Sequence, residues 1–393
     1  MFKNSIIIPV LLLCTLMFSA CSDDPASVGV DVVKKDLVEF GLYDSFIDTV
    51  NQYDRSFVKV LPLGSSQMLL LGKNSNNEAT TLVKFYLYLS DEISADLDSI
   101  QIISSKISLT PYYVVGDSTK PFDFTAHKVT YDWAYSTFSY DSLGLLTYDA
   151  ANVSSNLVKD TTYTFDIEKD LASAWLKNAK EEVAGANYGL YLKPKTDTEH
   201  FRGFYGYSSL VALSLQPTLT IIVEKAGSYT DTLVFYTQAD MHFVSGDNTL
   251  LPKKYTPVQS GVTINSAFWF DVSSLPADAS VNKAELILTY DSLTSVLGTT
   301  YTDGLIAYYM SDSTNNTYDS DGYAVLTKSD DKYTGNIATI INRMLKARSN
   351  NGIVVTPRTP LEGMELFAIH NHQSSEPAKK PRLILHYTYT KKN

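Results

Sequence analysis

The sequence predicts an all-β protein: two tandem jelly-roll-like antiparallel β-sandwiches, each with one short amphipathic helix, after a lipoprotein signal peptide. Three observations support this fold class. Aromatic residues make up 12% of the 393 residues and charged residues only 19%, which is too apolar for disorder. Short runs of β-branched and aromatic residues recur between Gly, Pro, Asp and Ser. The same order of signals also occurs twice along the chain.

The short runs are typical of the strands of a sandwich or barrel, because they are closely spaced and punctuated by turn residues. Clear examples are residues 82–89, 100–103, 106–110, 188–192 and 219–223. Tandem duplication is indicated by three pairs of matching segments. They are 81–87 with 266–272, 103–109 with 281–287, and 216–222 with 380–385.

Each copy contains one stretch with apolar residues at helical spacing, residues 167–176 in the first and 337–345 in the second. Asp166 and Asn336 stand where N-caps are expected. The pattern breaks at Ala226 and the two residues after it.

These signals predict four parts. Residues 1–20 form the signal peptide and 21–44 the lipidated cysteine with a tether. Residues 45–226 form the first sandwich and 227–393 the second.

The N-terminus has the features of a bacterial signal peptide. Lys3 precedes the apolar residues 5–17, a stretch too short to cross a bilayer as a helix. The small residues Ser19 and Ala20 then precede Cys21, and this resembles a lipobox with Phe18 at the position usually held by Leu. We therefore expect diacylglycerol on Cys21; the alternative is an ordinary signal peptide with an incidental cysteine.

Asp23 and Asp24 follow the cysteine and resemble the acidic surface-export signal of Bacteroidota lipoproteins. This resemblance implies an outer-membrane, lipid-anchored protein that faces the cell exterior.

The order of motifs also resembles a known family. An "L-x-x-F" strand, a helix, an "N-x-G-x-x-L" strand, a Ser-Ser turn and a "P-x-L-x-[IV]" strand follow one another. This is similar to DNRLRE-type jelly-roll modules of bacterial surface proteins and to tandem-domain Bacteroidota lipoproteins of unknown function. The name-giving signature has only a loose counterpart at residues 199–202, so the resemblance bears on fold more than on activity.

Aromatic clusters are the most distinctive candidates for binding. Flat aromatic rings beside polar groups suit the apolar face and hydroxyls of a sugar. At the spacing of a strand, Tyr131, Trp133 and Tyr135 would share one face. The alternative is that these rings form a core face. The residues we expect to bind a ligand are Tyr131, Trp133, Tyr135 and Tyr140. Further aromatic residues are grouped at 112–113, 204–207 and 308–309.

Several other functions are disfavoured. A net charge of −11 without a long basic run argues against nucleic acid. Known nucleophile, zinc-protease and phosphate-loop motifs are missing, so we expect no enzyme, although a glycosidase carboxylate pair stays open. Asp319 and Asp321 could begin a calcium loop, and His370 and His372 could share zinc, but a full ligand set is not evident. We expect neither a metal nor a cofactor.

The sequence therefore predicts a non-catalytic, surface-displayed glycan-binding accessory protein. The alternative is a structural or assembly lipoprotein that docks a protein partner at the outer membrane. The expected partners are the membrane, through the lipid anchor, and a polysaccharide or a surface protein.

Overall fold

The computed structural model describes residues 38–48, 51–59, 61, 66–181, 187–246 and 251–390. The predicted signal peptide and Cys21 lie outside these residues. Strands account for 49% of the structure and helical residues for 12%, in large antiparallel sheets. The all-β sandwich class is confirmed, whereas the tandem jelly-roll subtype and the signal peptide stay predictions.

The described part of the chain forms two eleven-stranded sheets and three α-helices. The elements up to the middle of the chain are β1 (Val38–Asp44), β2 (Gln52–Val58), β3 (Met68–Lys73), β4 (Asn77–Phe85), α1 (Asp91–Asp96), β5 (Gln101–Leu109), β6 (Pro111–Val115), β7 (Phe124–Lys128), β8 (Ser154–Lys159), β9 (Tyr163–Ile167), α2 (Lys169–Lys180), β10 (Leu190–Pro194), β11 (Phe201–Tyr205) and β12 (Thr218–Lys225). The remaining elements are β13 (Tyr229–Gly246), β14 (Tyr255–Gln259), β15 (Ile264–Phe270), β16 (Ser280–Thr289), β17 (Leu305–Asp312), β18 (Thr317–Ser329), β19 (Lys332–Asn336), α3 (Ala338–Ala347), β20 (Ile353–Pro357), β21 (Leu366–His370) and β22 (Arg382–Thr390).

The first sheet has the order β6-β11-β3-β4-β13-β12-β5-β9-β8, with β10 joining β4 to β7. It folds around one buried core that includes Phe85, Phe165, Trp175 and Phe204. The long strand β13 pairs with β12 along its first half and with β4 along its second half. A register shift between Thr237 and Ala239 separates the two halves. We call this unit, with α1 and α2, the first sandwich.

The second sheet has the order β1-β22-β16-β19-β18-β17-β20-β15-β14-β21, with β2 also paired to β15. Its core includes Phe268, Phe270, Tyr333 and Phe367. The long strand β18 pairs with both β17 and β19, so it connects the two layers as β13 does in the first sandwich. We call this unit, with α3, the second sandwich.

The strand pairing divides the chain differently from the sequence-based boundaries. β1 and β2 pair with β22 and β15 of the second sandwich, although their residues were assigned to the tether and to the first sandwich. β13 lies after the predicted boundary at 226 but pairs within the first sandwich. The second sandwich is thus completed by β1 and β2, which precede the first copy of the repeat. The first sandwich is completed by β13, which precedes the second copy.

The register shows that β2 in the second sandwich and the second half of β13 in the first are structurally equivalent. Gln52 of β2 lies opposite Phe270, and Thr237 of β13 lies opposite Phe85. Phe270 and Phe85 occupy the same position in the matching segments 266–272 and 81–87. Residues 38–48 and 51–58, which we call the N-terminal arm, therefore fill in the second sandwich the place that β13 fills in the first.

The helices differ slightly from their predicted positions. α2 and α3 begin after Glu168 and Ile337, because Ile167 and Asn336 still belong to strands. The Asn336 carboxamide nevertheless accepts the Ala338 N–H, as a capping side chain does. The first sandwich also contains the unpredicted α1, whose six residues are too few to produce a periodic signal; Ser90 caps it.

Candidate functional site

Trp133 is a core residue. It is 4% exposed, and its indole N–H donates a 2.8 Å hydrogen bond to the Tyr188 carbonyl. Its ring belongs to a buried cluster with Phe138, Phe243 and Leu361. A ring packed in this way presents no free face to a sugar, so the structure favours the alternative that Trp133 belongs to a core face.

The other three predicted residues do not form an aromatic face with it. Residues 131–137 form bends and turns rather than a strand, so alternation cannot align their side chains. Tyr131 is half-buried and packs edge-on against Phe138, whereas Tyr135 is 49% exposed. Tyr140 begins a short 3₁₀ helix, and its side chain lies outside the described part.

A more promising site lies where the two sandwiches meet. Strand β6 is an edge of the first sheet, and a turn of the second sandwich, which includes Thr299 and Thr300, is hydrogen-bonded to it. The Thr299 N–H donates to the Val114 carbonyl (2.9 Å), and the Val114 N–H donates to the Thr299 hydroxyl (3.0 Å). Gly298 permits this approach, because a Cβ at that position would overlap the Tyr113 ring.

Buried polar contacts reinforce the same junction. The Tyr113 hydroxyl donates to Glu365 Oε1 (2.7 Å) and accepts the Met364 N–H (2.9 Å). Tyr113 is 1% exposed and Glu365 is 3% exposed. A bonded pair buried this deeply fixes the geometry, because separating it would leave polar groups without partners.

Beside this contact lies a cleft of about 220 Å³, which we call the junction cleft. Residues of both sandwiches line it: Gln67, Met68, Tyr112, Tyr113, Tyr205, Val211, Thr300, Tyr301, Thr302, Thr359, Glu362 and Glu365. The rings of Tyr112 and Tyr205 stack at 4.2 Å between centroids and 21° between planes. Both tyrosines are half-buried, so the stack forms a supported aromatic wall with part of its surface open.

The position of this wall follows from the strands. Tyr205 ends β11 opposite Met68 of β3, and Tyr112 lies in β6, which also pairs with β11. The Thr300 hydroxyl donates to the Tyr112 carbonyl (3.0 Å), which holds the second sandwich against the backbone of the wall. The aromatic wall of the cleft is therefore built on paired strands, which favours a fixed geometry for the two rings.

Carboxyl and phenol groups give the cleft its electrostatic character. Burial raises the pKa of Glu365, although the Tyr113 hydroxyl opposes the shift. Burial, together with Glu362 and Tyr205, raises the pKa of Tyr112. Tyr112 therefore remains a neutral hydrogen-bonding group at physiological pH. The half-buried Glu362 supplies a carboxylate at the wall.

A second buried acid lies beneath the same region. Asp240 is 5% exposed, and its Oδ2 accepts the Tyr207 N–H at 2.7 Å. Desolvation raises its pKa to about 7. Nearby on β13, desolvation lowers the pKa of the buried His242 to about 4, and the ring Nδ1 lies 2.9 Å from the Met68 carbonyl oxygen. Clusters of shifted groups are common beside functional clefts, but these two do not line it.

The residues considered for metal binding make other contacts. The Asp319 carboxylate accepts a hydrogen bond from Arg343, and Asp319 lies in β18 rather than in a loop. The His370 ring lies 3.2 Å from the Ser374 hydroxyl, and the His372 ring contacts Asp54. Within the described ranges, no group of three or more His, Cys, Asp or Glu side chains is arranged to hold a metal ion.

The cleft combines an aromatic wall, a carboxylate, threonine hydroxyls and an amide around a small space. Such a set can hold a ligand that has both an apolar face and several hydroxyls. The sequence pattern singled out the segments 112–113 and 204–207 as aromatic-rich. It gave no sign that they meet each other or face residues 300–302 and 362.

None of the helices in the described ranges is both long and apolar enough to cross a membrane. No protein-family model matches the chain, and neither a curated protein nor a solved structure shows significant similarity to it.

Proposed function

We propose that this protein is a non-catalytic carbohydrate-binding protein and that the junction cleft is its binding site. The stacked Tyr112–Tyr205 wall is the observation that carries the proposal. The apolar CH face of a sugar ring would lie against the phenol surface, and its hydroxyls would reach the polar groups opposite. Contact with a preformed aromatic face costs little conformational entropy, because the two tyrosine rings already hold each other in place.

The size of the cleft limits the ligand. At about 220 Å³ it is smaller than the sites of roughly 300–1,000 Å³ that enclose drug-sized molecules. It therefore suits one sugar ring, such as the end or a side branch of a glycan, rather than a long internal stretch. Glu362 would accept hydrogen bonds from adjacent hydroxyls, since an ionised carboxylate is an acceptor on both oxygens.

In the same proposal, Cys21 carries the lipid and the protein is displayed on the outer membrane, facing the exterior. A site on the folded domains would then be presented to extracellular glycans by the tether. The resemblance to Bacteroidota surface lipoproteins supports this location. Mass spectrometry of the purified protein would test the lipid anchor, because a diacylated Cys21 would be the first residue of the mature chain.

A glycan array tests the binding proposal. We expect the full chain in detergent to bind glycans that share one terminal or branching sugar, and the Tyr205→Ala variant to lose that signal. Tyr207→Ala is the matched control, because Tyr207 is two residues away, 49% exposed and outside the cleft lining. Equal signals from the two variants would exclude the wall as the site.

A specific patch supports the alternative, docking of a protein partner. Four exposed apolar or aromatic residues lie together on the first sandwich: Tyr86 (60% exposed), Tyr88 (72%), Val234 (46%) and Tyr236 (41%). The Tyr86 N–H donates to the Tyr236 carbonyl at 3.0 Å, which brings the two segments side by side. Exposed patches of this kind often mark protein interfaces. If no glycan binds, the docking function would be tested by comparing the proteins that copurify with the parent and with the Tyr86→Ser/Tyr88→Ser double variant.

A further inference from the structure

A second cavity, of about 790 Å³, lies against the second sandwich at the N-terminal arm. We call it the arm cavity. Its described lining consists of Ser45, Phe46, Asn51 and Gln52, of Lys332 at the start of β19, and of five residues from His372 to Arg382. It shares no lining residue with the junction cleft, and its volume lies within the range of sites that enclose small ligands.

The charge of this cavity is opposite to that of the chain. Among the described residues of its lining, Lys332, Lys380 and Arg382 are basic and none carries a carboxylate. The whole chain nevertheless carries a net charge of −11. A basic concave surface on an acidic protein concentrates field lines where an anion can enter.

Only some of these groups are neutralised by the protein. Arg382 forms a two-pronged ion pair with Asp44 of the arm, and His372 contacts Asp54. In contrast, no described carboxylate lies within ion-pairing distance of the Lys332 or Lys380 ammonium groups. The cavity therefore keeps two uncompensated positive charges.

The fold itself does not require a cation at position 380. The closing segments of the two copies match, with Gln216-Pro217-Thr218 in the first and Lys380-Pro381-Arg382 in the second. The first copy thus leads into the same strand with a neutral glutamine where the second has Lys380. Arg382 differs in this respect, because its charge is used in the ion pair with Asp44 of the arm.

The lining also contains an aromatic ring. Phe46 is half-buried, and the Arg382 guanidinium lies 5.0 Å from the centroid of its ring. An aromatic ring in the wall of a cavity offers an apolar surface to the CH face of a sugar.

We propose that the arm cavity binds an acidic saccharide, whose anionic group lies near Lys332 and Lys380 and whose ring lies against Phe46. Carboxylate and sulfate share the chemistry that these lysines recognise. This site is separate from the junction cleft, so either proposal can fail without the other.

Calorimetric titration of the full chain in detergent tests the proposal. The probes are oligosaccharides of galacturonate, glucuronate or sialate, and a sulfated oligosaccharide, each beside its methyl-esterified or desulfated neutral form. We expect at least one acidic probe to bind at least ten-fold more tightly than its neutral form, with an affinity that falls as salt rises. A preference for carboxylated or sulfated probes would identify the anion.

Two lysine variants locate the site. Lys380→Gln, which restores the residue of the first copy, should weaken binding roughly five-fold. Lys379→Gln is the matched control, because Lys379 is paired with Glu376 and is outside the lining, and it should bind like the parent. Neutral forms that bind as well as acidic ones, inorganic sulfate that binds as well as the saccharides, or no binding by any probe would overturn the proposal. The comparison of ligands uses the parent protein, so it holds even if a variant folds poorly.

Discussion

The Tyr113 hydroxyl donates a 2.7 Å hydrogen bond to Glu365, and this buried contact joins the two sandwiches beside the junction cleft. The same hydroxyl accepts the Met364 N–H, so one oxygen satisfies two groups of the second sandwich. The relationship makes the cleft a product of both units. Loosening the junction should therefore affect both stability and binding.

Tyr113→Phe should reduce the free energy of unfolding by about 1–3 kcal/mol. The ring still packs, but Glu365 and the Met364 N–H lose their buried partner. Urea unfolding followed by two probes would measure the change, since two units need not unfold as one. Tyr207→Phe, at an exposed position, should change little. Equal stability of the two variants would show that the Tyr113 contact does not hold the junction.

Asp240→Asn should increase stability most at high pH. The folded-state pKa of Asp240 is about 7, above the ordinary value of 3.8. The folded protein therefore retains a proton that the unfolded chain loses, so its stability falls as pH rises from about 4 to 7 and stays lower above 7. The full effect is on the order of 4 kcal/mol. Asn removes the ionisation and keeps an acceptor for the Tyr207 N–H.

The measurement is the difference in unfolding free energy between parent and Asp240→Asn at pH 5 and at pH 8. His242 gives the opposite trend, because its lowered pKa of about 4 makes stability rise between pH 4 and 6.5. Since His242 is present in both proteins, the difference isolates Asp240. A difference that does not grow with pH would contradict the burial of this carboxyl group.

Trp133→Ala should cost about 3–5 kcal/mol of stability, because it leaves a cavity in a packed cluster. Tyr135→Ala, at a half-exposed position nearby, should stay within about 0.5 kcal/mol of the parent. Thermal or urea unfolding compares them. If Trp133→Ala instead kept full stability and abolished glycan binding, Trp133 would be a binding residue after all.

The N-terminal arm should be part of the second sandwich rather than a tether. Tyr43 is 2% exposed in its core, and the Tyr43 hydroxyl donates to the Asp271 carbonyl at 3.0 Å. Tyr43→Ala should therefore cost about 3–5 kcal/mol. Phe40→Ala on the same strand is the control, because Phe40 is 86% exposed and should contribute little. Equal melting temperatures for the two variants would show that the arm is not docked in solution.

The repeated strand pattern predicted the fold class because alternation and turn residues are local properties of the sequence. This pattern could not show which sandwich the N-terminal arm joins, because the segments that precede the two copies resemble strands equally well. Their partners are chosen by pairing across more than 200 residues, as between Gln52 and Phe270. Strand pairing crosses the predicted boundaries at 44 and 226 for this one reason.

The binding residues were harder to predict than the fold. The alternation of Tyr131 and Trp133 suggested a strand face, but the chain turns there and buries the indole. Tyr112 and Tyr205 were recognised only as aromatic-rich positions, since their stacking depends on the pairing of β6 with β11. A cleft formed between two units leaves no linear motif.

Titration of Tyr205→Ala with a glycan that the parent binds tests the central claim most directly. We expect a dissociation constant about ten-fold higher than that of the parent, a loss of ~1.4 kcal/mol, because the open ring of the wall is gone. Tyr207→Ala should bind like the parent, and both variants should unfold with cooperative transitions. Unchanged binding by a folded Tyr205→Ala variant would contradict the assignment of the junction cleft as the carbohydrate site.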